Sequence, residues 1–170
     1  MKLSTIPDIF KSVAMLALIG SALALAPAAA QAREQVPFRA EWVADIETIV
    51  NFPIATVIGF GEGQALHLGR FTAQSIAEEV NLVTGAGDAR YRFIAANGDQ
   101  VLVHFVFTAI PTSATLYAIS GTWQITGGTG RFSGASGAGT YHGAVEFTGP
   151  DAAVGHFVMQ GSISSPGSLD

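Results

Sequence analysis

Ile125-Thr126-Gly127-Gly128-Thr129-Gly130-Arg131-Phe132-Ser133-Gly134-Ala135-Ser136-Gly137 joins two alternating segments, residues 115–126 and 139–147, through a run crowded with glycine. Period-two alternation of apolar and polar residues is the signature of a half-buried strand. Glycine reaches positive φ without the Cβ clash other residues meet. The stretch therefore reads as a turn between antiparallel strands, with positive φ expected at Gly128 or Gly130. A phosphate cradle would need Lys-Ser/Thr after its last glycine and a helix beyond it. Here Arg131-Phe132-Ser133 follows and the chain returns to strand.

The same pattern extends upstream. Residues 91–96 and 101–109 flank Asn97-Gly98-Asp99, and Asn-Gly is the strongest short hairpin signal. Nearer the start, Phe38, Ala40, Trp42, Ala44 and Ile46 face one way while Arg39, Glu41, Val43, Asp45 and Glu47 face the other. An apolar run at 54–60 meets Gly61-Glu62-Gly63, and a third strand is expected over 64–80 with a bulge or bend at Gly69. The last strand, 154–164, follows Gly149-Pro150-Asp151. Eight sequential antiparallel strands close into an all-β up-and-down, calycin-like barrel, which removes exposed sheet edges. A two-sheet sandwich is the alternative. Residues 101–107 are apolar on both faces, so a loop or a neighbouring subunit is expected over the outside.

Gly127-Gly128-Thr129-Gly130 with Phe132, Gly134 and Gly137 resembles the V-V-G-G-T-G-x-F signature of dirigent proteins and the G-G-S-G-x-F of allene oxide cyclases. With Asn97-Gly98-Asp99 ahead of it, the chain is also similar to exported bacterial barrels of that superfamily. The resemblance spans roughly the second half of the chain beyond the leader. It implies a lumen that binds an apolar, often conjugated molecule and steers a cyclisation or coupling. That is a cyclase-like or isomerase-like activity needing no cofactor. It also implies a homo-oligomer, dimer or trimer. None of the family's catalytic residues lies inside the motif, so it carries no residue role across.

Residues 1–32 have the order of a signal peptide: Lys2 and Lys11, an apolar run over 13–26, then Ala30-Gln31-Ala32. Cleavage after Ala32 and a secreted or periplasmic protein are expected, with a single domain at 33–164 and a flexible tail at 165–170. Beyond residue 32 there are six arginines, no lysine and twelve acidic residues, a net charge of about −6. Such a surface repels phosphate backbones and anionic lipid. Neither nucleic acid, a peripheral membrane role nor stable membrane insertion is expected, and a small apolar ligand suits it better. The chain has no cysteine, which excludes thiolate metal sites, cysteine nucleophiles and disulfides together.

Four histidines, His67, His104, His142 and His156, come from four expected strands without an H-x-H pair, so no metal site is expected. His67 shares parity with Ala65, Gly69 and Phe71 and is expected to face the interior, as the candidate acid or base beside Tyr141. Trp42, Tyr91, His104, Tyr117, Trp123 and Phe132 are the candidate ligand-lining residues, because aromatic faces offer large apolar area. Glu41, Asp45, Glu47 and the pair Glu78-Glu79 read as solvated. Two functional readings stand: a barrel that binds a small molecule, or a structural or interaction protein with a filled barrel. The interior volume separates them, since ligand sites start near about 300 Å³ and a cavity below about 100 Å³ belongs to a filled barrel.

Overall fold

In strand β1, Gln35–Asn51, Phe38, Ala40, Trp42, Ala44, Ile46 and Thr48 are buried and their neighbours are exposed, as the alternation requires. A computed structural model describes residues 34–164 of the chain. The expected leader and the expected tail at 165–170 lie outside the described residues. Seven more strands follow: β2 Ile54–Ala65, β3 Gly69–Asn81, β4 Ala86–Ala95, β5 Gln100–Pro111, β6 Leu116–Gly128, β7 Gly137–Phe147 and β8 Ala152–Ser164. Each pairs antiparallel with the next, and β8 returns to β1 from Gln35 opposite Ser164 to Glu47 opposite Ala152. The barrel therefore closes on itself, and the sandwich alternative is excluded.

Two sequence expectations about β2 and β3 are corrected. Residues 61–63 do not turn the chain. Gly63 faces inward against β1, where a Cβ would come within 2.2 Å of the Glu41 carbonyl oxygen and 2.6 Å of the Trp42 Cβ, so glycine here lets β2 approach the β1 backbone closely. The turn comes later, at 66–68, with His67 at φ +67° and Gly69 at φ +75°. The expected long strand over 64–80 is the end of β2, this turn, and β3.

The connection from β6 to β7 is more than a simple β-turn. It contains a single 3-10 turn, Gly130–Phe132, that lays Phe132 across one end of the barrel with no exposed surface. Gly130 has φ +56°, and a Cβ there would strike the Asp99 carboxylate at 1.8 Å. The two turn motifs thus touch: Arg131 Nε lies 3.4 Å from Asp99 Oδ2, and its guanidinium donates to the Leu68 carbonyl at 3.3 Å. Thr129 Oγ1 accepts the Gln100 N–H at 3.0 Å. Phe132, Leu68, Phe71 and Ile163 seal this end. The middle is filled by Trp42, Phe93, Phe105, Tyr91 and Tyr141, whose ring centroids lie 4.7–6.1 Å apart in successive pairs. On the outside of β5, Val106 is exposed, so no described loop covers that face.

Candidate functional site

β3 does not keep one parity. Ser75 pairs with Tyr91 and Ala77 with Arg90, so Ile76 is an extra residue, a β-bulge, and it points outward. Before the bulge the odd residues Phe71 and Ala73 face inward; after it the even residues Glu78, Val80 and Leu82 line the lumen. Ser75 Oγ accepts the Gly59 N–H at 2.8 Å, giving that donor a partner where the β2–β3 ladder is interrupted.

The consequence is a carboxylate inside an apolar barrel. Glu78 Oε2 accepts a hydrogen bond from the Tyr91 hydroxyl at 2.5 Å. Gly59 permits this contact, because a Cβ at that position would lie 2.5 Å from the Tyr91 hydroxyl oxygen. Burial disfavours the charged form and pushes the Glu78 carboxyl up to about 7, against the smaller opposing effect of the Tyr91 bond. Tyr91 and Tyr141 are both raised far above the usual phenol range, first by burial and then by the neighbouring carboxylate. Both phenols therefore stay protonated, with Tyr91 donating to Glu78, while Glu78 changes charge near neutrality.

Glu78 lies in the wall of a cavity of about 110 Å³ that opens at the end of the barrel opposite Phe132. Phe107, Ile119, Val145, Phe147 and Tyr117 supply much of the remaining lining. Tyr117 packs edge-on against Phe147, with centroids 5.6 Å apart. Larger hollows of about 570 Å³ exist on the outer wall, one beside Arg39, Glu41 and Arg70 and one beside His142 and His156. They are shallow and open, and a ligand there would keep most of its hydration.

Of the residues expected to line the lumen, Tyr117 lines the cavity, Tyr91 reaches it through its bond to Glu78, and Tyr141 packs edge-on against Phe107 of its lining at 6.2 Å. Trp42 stacks on Phe157 at 5.0 Å within the filled middle. Trp123 is held by its indole N–H, which donates to the carbonyls of Thr140 at 3.1 Å and Gln160 at 3.2 Å. Phe132 is the plug of the closed end. The histidine expectations are corrected. His67 sits exposed in the β2–β3 turn, with Nε2 3.1 Å from the Pro37 carbonyl oxygen, because the chain turns before parity could carry it inward. His104 points outward and meets Asp88 at 2.7 Å, since β5 faces the lumen with Val101, Val103, Phe105 and Phe107. Glu78, read from sequence as solvated, is the residue that sequence reasoning missed. Unbroken alternation places it on the outer face, and nothing in the local residue types marks the bulge. Among the described residues no group of three or more histidine, aspartate or glutamate side chains is placed to hold a metal.

No family model matches the chain, and no curated protein matches it in sequence. Among solved structures it is similar to the pterocarpan synthase dirigent protein GePTS1, at 12% identity and a TM-score of 0.48, over 82% of this chain and 91% of that one. At that distance the lumen itself has to carry any functional reading.

Proposed function

We propose that this chain is an exported barrel that binds a small apolar molecule end-on in its open lumen and moves a proton on it through Glu78, without a cofactor. The observation that carries the reading is one ionisable carboxyl, poised near neutrality, set in a cavity whose lining is apolar apart from Thr48 and Tyr117. A buried carboxyl with a raised pKa in a cleft is a candidate functional group, because an isolated buried charge destabilises the fold. Tyr91 occupies Oε2, which leaves Oε1 for the ligand. In the protonated state Glu78 gives its proton to a carbonyl or ether oxygen; as the carboxylate it takes a proton back from a neighbouring carbon or hydroxyl. The net change is an isomerisation or ring closure, with atoms and charge conserved. Cyclisations that conserve atoms and electrons fall in this class, whereas an oxidative coupling would need an oxidant and lies outside it. Export is supported by the composition of residues 1–32.

The cavity sets the size of the ligand. About 110 Å³ is well below the usual ligand site of about 300 Å³ and below the about 150 Å³ that accepts benzene in an engineered apolar core. Only one end of a molecule enters, and the rest stays at the mouth. The filled middle and sealed far end favour the second reading, a structural or interaction barrel. Titration with p-cresol separates the two. Binding is expected at millimolar concentration, at least tenfold weaker in Ala109→Phe, which fills the mouth, and dependent on pH around 7 only while Glu78 is present. If p-cresol does not bind, or binds Ala109→Phe equally well, the structural reading replaces this one.

A further inference from the structure

The two ends of the barrel differ in chemistry. The closed end carries Arg131, Asp99 and His67 on its connections. At the open end the four connections are 52–53, 82–85, 112–115 and 148–151, and Asp151 is their only charged residue. Their tips hold large apolar side chains in water: Phe52 is 75% exposed, Val83 69% and Leu82 46%, with Ile110 at the end of β5 53% exposed. Leu82 belongs to both the rim and the cavity lining, so the apolar surface is continuous from the tips into the lumen. Exposed apolar patches of this kind mark interaction surfaces.

We infer that the open end docks shallowly onto a zwitterionic lipid surface, so that an apolar ligand passes from the bilayer into the lumen without crossing water. Charge selects that partner. The chain beyond the leader is acidic and repels an anionic surface, while tips that carry a single charge, Asp151, meet little such penalty at a neutral one. The contact is interfacial and reversible, since a few loop side chains reach the headgroup boundary and every strand stays in water. The inference rests on the proposed ligand binding for its purpose, but its physical test is separate.

Flotation of the barrel unit Ala32–Asp170 with phosphatidylcholine vesicles tests it; this unit contains all eight strands and closes without the leader. The protein is expected to float with these vesicles, and less with vesicles containing phosphatidylserine. The double variant Phe52→Asp/Val83→Asp is expected to lose at least tenfold in partitioning with an unchanged melting midpoint. Val106→Asp, at a half-exposed apolar site on the wall, is expected to lose nothing. Absence of flotation, preference for the anionic vesicles, or equal loss in Val106→Asp overturns the inference. So does a self-associated barrel that the tip variant disperses, because a second copy would then be the occupant of the rim. p-Cresol binding in solution is expected to survive the tip variant. If p-cresol fails to bind while flotation holds, the proton-transfer reading falls and the docking stands.

Discussion

At the scale of single residues, Glu78 concentrates both the chemistry and the cost of this barrel. Its carboxyl titrates near 7 in the folded chain against 4.5 in a solvated one, so between those values the folded state holds a proton that the unfolded state has released. Stability therefore falls as pH rises from about 4.5 to 7, then levels off, by up to about 3 kcal/mol if the whole shift is expressed. Glu78→Gln keeps an acceptor for Tyr91 and removes the ionisation. The variant is expected to melt with the parent at pH 4 and above it at pH 8, by about 1–3 kcal/mol in denaturant titrations. Parallel curves for the two proteins across that range would show that the carboxyl is solvated. The same substitution should remove the pH dependence of p-cresol binding. Stabilisation together with functional loss is the pattern of a site maintained against the interest of the fold.

At the scale of elements, the bulge in β3 decides what the lumen contains. Ser75 stabilises it by accepting the Gly59 N–H, which the interrupted ladder leaves without a backbone partner. Ser75→Ala strands that donor in a partly buried setting and is expected to cost about 1–3 kcal/mol. Chemical denaturation measures this directly, and an unchanged midpoint would mean that water replaces the hydroxyl. The element scale also shows how far sequence reading reaches. In β1 and β4 alternation is unbroken, and Phe38 to Ile46 and Tyr91 to Ala95 fall on the face their spacing assigns, although β4 begins at Ala86, inside the stretch whose glycines read as a turn. β5 is apolar on both faces, so spacing does not choose between them, and the face opposite His104 is the one turned inward. In β3 one inserted residue reverses the face of everything after it. Glu78 beside Glu79 near a turn reads as solvated, and no composition cue near Ile76 marks the inserted residue that turns it inward. His67 failed for a related reason, because parity was counted through a turn.

At the scale of the whole molecule, the barrel is a filled cylinder with one finished end and one open end. Phe132 is fully buried at the finished end, packed between the two turn motifs with the Arg131 guanidinium 5.0 Å from its ring centroid. Phe132→Ala removes the plug and is expected to cost about 3–5 kcal/mol, seen as a lowered melting midpoint. Binding of p-cresol at the far mouth should persist at temperatures where the variant is folded. Loss of binding in the folded variant would show that the two ends are coupled through the aromatic middle.

The amino-acid sequence by itself determined the strand number, their antiparallel order, the Asn97-Gly98 hairpin and a positive φ at Gly128 or Gly130, which the structure places at Gly130, because these follow from periodicity and from backbone freedom at single residues. Closure could be argued from the sequence, and the pairing of β8 with β1 establishes it. The contents of the lumen were decided only in three dimensions. A bulge turned Glu78 inward, a turn left His67 outside, and the meeting of Asp99 with Arg131 set Phe132 into the barrel end. Each depends on residues distant in sequence arriving together. Side-chain period describes a strand, and an insertion or a long-range contact that resets it leaves no local trace.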